Sequence, residues 1–224
     1  MIDLPIAKLE LEWKEPWQGP PAPHLLRGAI AAAFPQNDLF HQHTEEGFIN
    51  RYPRIQYRWD KGRGIVVGLG PGVESLGQLF LRDMSLQLGE REMSISNSTC
   101  TLQTHTIQIN PRLKRYFFRS PWIALNQENY ADFHDLPRTE QTEKLDRILI
   151  GNILSALKGF DVHVEERIYA AVVPKRRTWC TYKDQRFRGF LGMFVTNVDL
   201  PPGFGLGKAV SHGYGWIEPV GVDE

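Results

Sequence analysis

The sequence predicts an α+β fold of two tandem βαββαβ units, the second β-richer and less regular than the first. Three observations carry this prediction. Over the first half the apolar pattern runs strand, helix, strand, strand, helix, strand; a turn-forming Asn110-Pro111 follows; and the same kind of pattern then begins again. A chain of 224 residues, 42% of them hydrophobic, can fill two compact domains of roughly 110 residues each. The expected architecture is therefore two ferredoxin-like domains, over 1–110 and 111–224.

Each element has its own warrant. Ala7, Leu9, Leu11 and Trp13 alternate with Lys8, Glu10 and Glu12, the period of a half-buried strand. Leu25, Leu26, Ala29, Ile30, Ala33 and Phe34 recur on one helical face until Pro35 closes the segment. Ile55, Tyr57 and Trp59 alternate with Arg54, Gln56 and Arg58, and Asp60, Lys61 and Gly62 supply a turn before Ile65, Val66 and Val67, which predicts a hairpin. After Gly70, Pro71 and Gly72, the residues Val73, Leu76, Leu79, Phe80, Met84 and Leu88 mark an amphipathic helix ending at Gly89, and a β-rich stretch runs from Met93 to Ile109. In the second half Tyr116 to Leu125 reads as a broken strand. Leu145, Ile148, Leu149, Ile153, Ala156 and Leu157 form a helix, with Thr139 as its N-cap, Glu140 and Glu143 at its positive start and Gly159 at its stop. Three or more β segments complete the chain.

Composition narrows the function classes. No run of about 18 apolar residues exists, and Asp3 stands where an export signal would carry basic residues, so a cytoplasmic protein without a membrane segment is expected. Cys100 and Cys180 lack the CxxC spacing of a metal or redox site and read as structural thiols. The formal net charge is zero, without the overall basic excess of a typical nucleic-acid binder. Its distribution is uneven, however. Arg112, Lys114, Arg115 and Arg119 form a run without an acid, and Arg167, Lys175, Arg176, Arg177, Lys183, Arg186 and Arg188 stand against Asp184 alone. Acidic residues gather at Glu10, Glu12 and Glu15 and again at Glu140, Glu143 and Asp146. Such runs make either a nucleic-acid face or charged strand edges that resist aggregation.

Near the C-terminus Gly203, Gly205, Gly207, Gly213 and Gly215 surround Lys208, Ser211 and His212. Closely spaced glycines admit positive φ and the close approach of another chain, and exposed amides make anion-binding concavities. The spacing fits neither a Walker loop nor a dinucleotide fingerprint. The stretch from Gly203 to Gly215 closely resembles the C-terminal glycine-rich motif of the CRISPR-associated precursor-RNA processing endoribonucleases (the Cas six family) of the RAMP superfamily. His212 replaces the usual basic residue of that motif and Tyr214 its usual Phe. Leu26-Arg27-Gly28-Ala29, Leu39-Phe40-His41-Gln42-His43, Tyr52-Pro53-Arg54-Ile55-Gln56-Tyr57, Ile148 to Lys158 and Gly189 to Asn197 are similar to the same family in order, so the resemblance spans nearly the whole chain.

The resemblance implies two ferredoxin-like domains and cleavage of CRISPR repeat RNA in precursor transcripts, without a metal or other cofactor, by attack of a ribose 2′-hydroxyl on the adjacent phosphate, leaving a 2′,3′-cyclic phosphate. That chemistry needs a base, an acid and positive charge around the developing phosphorane. Histidine suits both proton tasks. His41 and His43 coincide with the positions of the family's catalytic histidines; alone, the pair would equally suit part of a metal site, for which Asp38, Glu45 and Glu46 are the nearby carboxylates. Tyr52 and Arg51 follow within ten residues as groups to position the scissile phosphate, or as strand-edge residues. Arg27, opposite the apolar stripe of the first helix, reads as a solvated helix-face residue, with a place in the same cleft as the alternative, and His24, His105, His134 and His163 read as structural or surface residues. Expected RNA contacts are Arg51, Lys175, Arg176, Arg177, Lys183, Arg186, Arg188, Gly203, Gly205, Gly207, Lys208, Ser211 and His212, with Trp179 and Tyr182 either stacking on bases or buried in the core. Two other readings stay open: a non-catalytic RNA-binding subunit of the same superfamily, and a ferredoxin-like protein without an RNA role. Beyond the RNA, other CRISPR effector subunits and a second copy forming a homodimer are the partners left open.

Overall fold

A computed structural model of the chain describes residues 1–41, 43–44, 47–48, 52–80 and 85–221. Its elements run β1 (Ile2–Trp13), α1 (Pro23–Ala33), α2 (Asp38–His41), β2 (His43–Thr44), β3 (Gly47–Phe48), β4 (Ile55–Asp60), β5 (Arg63–Leu69), α3 (Gly72–Phe80), β6 (Ser85–Leu88), β7 (Arg91–Ile107), β8 (Ile109–Phe118), α4 (Gln127–Asp135), α5 (Arg138–Lys158), β9 (Ala170–Tyr182), β10 (Gln185–Val198), a 3₁₀ turn at Val210–His212, and β11 (Ile217–Pro219). The chain divides into two compact units: an N-terminal unit of residues 3–105 with 211–213, and a C-terminal unit of 1–2, 106–210 and 214–224. No helix among the described residues is long and apolar enough to cross a membrane.

In the N-terminal unit the sheet order is β4-β5-β1-β7-β6. The β4/β5 hairpin lies on one side of β1 and the last long strand on the other, which is the ferredoxin-like arrangement with β6 added at the edge. The alternation read in β1 is real: Leu9 and Leu11 are buried and Lys8, Glu10 and Glu12 half-buried, with Leu9 opposite Val66. Leu26 and Ile30 from α1 and Leu76 and Leu79 from α3 complete this core. The helix expected to run from Val73 to Gly89 is shorter. α3 ends at Phe80, Met84 lies outside the described residues, and Leu86 and Leu88 belong to β6, buried in alternation with exposed Ser85 and Gln87. Gly89 is the positive-φ turn of the β6/β7 hairpin, not a helix stop. Leu86 and Leu88 are two residues apart, so their spacing belongs to a strand.

The C-terminal unit is a four-stranded sheet in the order β11-β8-β10-β9. The first crossover, from β8 to β9, carries α4 and α5. α4 is not among the expected elements, because only Phe133 of it is buried and no apolar period marks it; its start is set by Asn126, whose side chain accepts from the Asn129 amide at 2.8 Å. Thr139 is not an N-cap: α5 begins at Arg138 behind Pro137, without a side-chain cap, and closes on Gly159 as expected. Asn110 and Pro111 lie within β8, and the pause between the long strands falls at Gln108.

The expectation of a β-richer second unit does not hold: among the described residues it has one four-stranded sheet with the long helix α5, against a five-stranded and a two-stranded sheet in the first, and it is the second crossover that makes it less regular. β10 and β11 flank β8 and are each antiparallel to it, hence parallel to one another, and parallel strands of one sheet are ordinarily joined through a helix. Here residues 199–216 make the crossing with a single 3₁₀ turn and the glycine-rich stretch. The loop is fastened to the unit by backbone hydrogen bonds: the Leu206 amide to Gly215 O at 2.9 Å, Gly215 to Pro121 O at 2.9 Å, and Lys208 to Ile123 O at 3.2 Å. Two glycines permit that fit. At Gly207 (φ +89°) a Cβ would lie 2.6 Å from Trp122 Nε1, and at Gly215 (φ +64°) it would lie 1.9 Å from Leu206 O.

Gly215→Ala combines a positive φ with a backbone collision and is expected to cost several kcal/mol in urea denaturation. Gly203→Ala, at φ +75° with no atom within 4 Å, is expected to cost only about 1–2 kcal/mol from the backbone conformation. Equal costs would show that the Leu206 to Gly215 contact yields freely.

Candidate nucleic-acid interface

The distal half of the β9/β10 hairpin projects beyond β8, which pairs only with the Met193–Val198 end of β10. Its tip is tight because Lys183 and Asp184 both take positive φ (50° and 58°), matching the twist of the strands. Trp179 stands opposite Arg188 in register, half exposed, with the Arg188 Cζ 3.7 Å and the Arg186 Cζ 4.6 Å from its ring centroid. These contacts preorganise two guanidinium groups, that of the exposed Arg186 and that of the half-buried Arg188. Arg188 also approaches Tyr130 of α4 at 5.9 Å, and Gln127 donates to Arg186 O at 3.1 Å, which joins α4 to this side of the hairpin.

The opposite side of the hairpin meets the glycine-rich crossover. Cys180 and Phe187 are buried with Ile123, and Tyr182, Ala209 and Tyr214 pack against them. The Tyr214 hydroxyl donates to Thr181 O at 2.8 Å, while the exposed Lys208 ammonium lies 4.4 Å from the Phe187 ring centroid. Burial pushes the Cys180 thiol up to about 11, consistent with a structural thiol rather than a reactive one. Lys208 thus stands on one face of the hairpin and Arg186 and Arg188 on the other, with Lys183 at the tip, all within the C-terminal unit. Lys175 and Arg176 are exposed on β9. Arg177 is differently engaged: its Nη2 donates to Gln141 Oε1 at 2.6 Å and its Cζ lies 5.5 Å from the Phe133 ring, so it braces α4 and α5. Tyr182 is half-buried against Phe187.

The glycines divide. Gly203 is open, Gly205 is buried and bridged to Trp216, and the space beside Gly207 is taken by Trp122. Ser211 and His212 belong with the N-terminal unit, the Ser211 hydroxyl 3.1 Å from His212 Nδ1. Next to them, a Cβ on Gly213 would lie 2.5 Å from Pro23 and 3.3 Å from Tyr57 O.

The N-terminal unit fixes the backbone that carries the histidine pair. Asn37 accepts from the Leu39 amide at 3.1 Å and donates to Ser75 of α3 at 3.0 Å, and the buried Tyr57 hydroxyl donates to Phe40 O at 3.1 Å, one residue before His41. Burial holds this hydroxyl far above the usual tyrosine range, with the charge of Arg27 pulling the other way. Arg27 is half-buried and electrostatically coupled to Tyr57, which the reading of a solvated helix face did not anticipate. His41 closes α2 and His43 opens β2, paired with Phe48. Their side chains, and Arg51 entirely, lie outside the described residues. Tyr52 is half-buried, its hydroxyl accepting from Gln56 Nε2 at 3.0 Å. Gln56 and Arg58, fully buried, were missed as members of this group; on a strand of alternating polar and apolar residues nothing in the sequence marks the polar side as enclosed.

Tyr57→Phe leaves the Phe40 carbonyl without its buried donor and is expected to cost about 1–2 kcal/mol in chemical denaturation. A cost near zero would show that the end of α2 does not depend on this bond.

Comparisons with known proteins agree across both units. Residues 2–106 match the Cas6b N-terminal domain and residues 108–220 the Cas6b C-terminal domain. An uncharacterized protein of Methanocaldococcus jannaschii is 34% identical over 142 residues, 63% of this chain and 97% of that relative. A crystal structure of Cas6b superposes with a TM-score of 0.87 at 26% identity, covering 98% of this chain and all of the other. A crystal structure of a CRISPR RNA processing endoribonuclease Cas6b gives 0.75 at 24% identity with the same coverage. With a family match over each half and the same fold throughout, the chain belongs to the Cas6b family.

Proposed function

We propose that this chain is an endoribonuclease that cuts CRISPR repeat RNA within precursor transcripts, without a metal ion. The observation that carries the RNA reading is the gathering of cations around the β9/β10 hairpin, with Lys208 held on one face through Tyr214, Phe187 and Cys180, Arg186 and Arg188 held over Trp179 on the other, and Lys183 at the tip. Family membership supports the reaction, as do a solved relative described as a CRISPR RNA processing endoribonuclease and a Cas6 product complex of similar fold, at a TM-score of 0.59. In the proposed reaction one histidine of the His41/His43 pair takes the proton of a ribose 2′-hydroxyl. The 2′-oxygen attacks the adjacent phosphorus, the bond to the 5′-oxygen breaks, and the other histidine protonates that leaving oxygen, giving a 2′,3′-cyclic phosphate and a 5′-hydroxyl. Tyr52 donates a hydrogen bond to the scissile phosphate, Arg51 adds positive charge beside it, and the Lys208 and hairpin cations hold flanking phosphates.

Incubation with repeat RNA in excess chelator tests this reading. Cleavage is expected to proceed, to fall about 10²–10⁴-fold in His41→Ala and in His43→Ala, and to vanish when the nucleotide 5′ of the cut lacks its 2′-hydroxyl. Activity that survives the double histidine replacement, or disappears on chelation, overturns the mechanism; tight binding without cleavage overturns the enzyme assignment.

Lys208→Ala is expected to weaken binding of all RNA sequences alike and to lower the slope of log affinity against log salt by about one unit. An unchanged slope in a salt titration would remove Lys208 from the interface.

A further inference from the structure

β4 alternates its side chains across the sheet. Ile55, Tyr57 and Trp59 enter the core beneath α1 and α3, whereas Gln56 and Arg58 stand on the other side and are nevertheless 0% and 1% exposed. Their partners across the hairpin are Val67 and Ile65. An amide and a guanidinium in such surroundings are costly to bury, and apolar residues would serve the sheet as well or better. Their hydrogen bonds indicate what they are for.

Arg58 carries donors only. Its Nη1 donates to Tyr57 O at 3.0 Å and its Nη2 to Gln56 Oε1. A guanidinium cannot accept, so the oxygen of the Gln56 amide is held toward Arg58 and its NH₂ end is turned the other way. That end donates to the Tyr52 hydroxyl at 3.0 Å and to Pro53 O at 3.3 Å. A hydroxyl that accepts from an amide directs its own proton elsewhere, and a donor polarised by a cation strengthens the acidity of that proton. The geometry points to Gln56 and Arg58 as positioning residues for Tyr52: the buried guanidinium locks the amide, and the amide fixes the Tyr52 hydroxyl as a hydrogen-bond donor toward an RNA phosphate oxygen. This rests on the proposed placement of Tyr52 at the scissile phosphate. The Tyr57 carbonyl that receives Arg58 also borders Gly213 of the same unit.

Gln56→Glu isolates the effect. The carboxylate keeps an acceptor for Arg58 but offers Tyr52 another acceptor in place of a donor, which draws the hydroxyl proton inward. Single-turnover cleavage is expected to fall about 100-fold, with affinity for uncleavable 2′-deoxy repeat RNA and the thermal midpoint unchanged. Tyr52→Phe is expected to lose a similar factor, and the double variant no more than either alone. Arg58→Lys, which still donates to the amide oxygen, is expected to keep most of the rate, and Arg58→Met to lose it; this pair decides the matter if Gln56→Glu does not fold. Wild-type cleavage by Tyr52→Phe would overturn the placement of Tyr52 itself. If Tyr52→Phe is slow while Gln56→Glu is not, or if the two losses multiply, the relay alone is overturned.

Discussion

The C-terminal unit must carry its chain from β10 across β8 to β11 without the helix that usually spans such a gap. Everything about the glycine-rich stretch follows from that constraint. A helix would stand off the sheet by the thickness of its side chains. This crossover instead presses its backbone onto the unit, with Gly207 against the Trp122 indole and Gly215 against the Leu206 carbonyl. Trp122 is itself held by the Asn152 side chain of α5 at 2.9 Å and stacked on Phe118 of β8, so the seat of the loop is built from the same residues that join helix to sheet.

Tight packing on one side leaves the other side of the crossover to be defined by whatever projects from it. Lys208 projects, and the β9/β10 hairpin is drawn up beside it by Tyr214 and Phe187. On the opposite flank Arg188 is pinned over Trp179, beside α4. The cations on both faces of the hairpin are consequently arranged by packing, which lowers the ordering cost that long cationic side chains would otherwise add to binding a ligand. A chain of zero net charge can in this way present a concentrated field where its long strands meet in a hairpin.

How far the sequence foretold this differs by element. Period-two alternation in β1 and β4 was legible because each of those strands puts its apolar residues on one regular buried side, and β5 because its β-branched run follows a turn. α4 was not, since QENYADFHD contributes a single buried residue, and Leu86 with Leu88 was read into a helix because four residues are too few for either period to dominate. The glycine stretch was visible as a motif, but its glycines were read as openings for another chain; only the structure shows Trp122 and Leu206 filling the space at Gly207 and Gly215. Arg177 looked like its neighbours Lys175 and Arg176 in the sequence, and its commitment to Gln141 and Phe133 depends on a contact between elements that no local pattern encodes. The same holds for Gln56 and Arg58, whose polarity suggested solvent and whose surroundings are enclosed.

The bond from Tyr57 to the Phe40 carbonyl has a bearing on any titration of this protein. Because burial holds that hydroxyl far above the usual tyrosine range, the tether stays protonated throughout the interval in which histidine changes charge. The segment bearing His41 is thus anchored by a fastening that acid and mild alkali leave alike. A change in this protein near neutrality therefore does not arise from the loss of this bond.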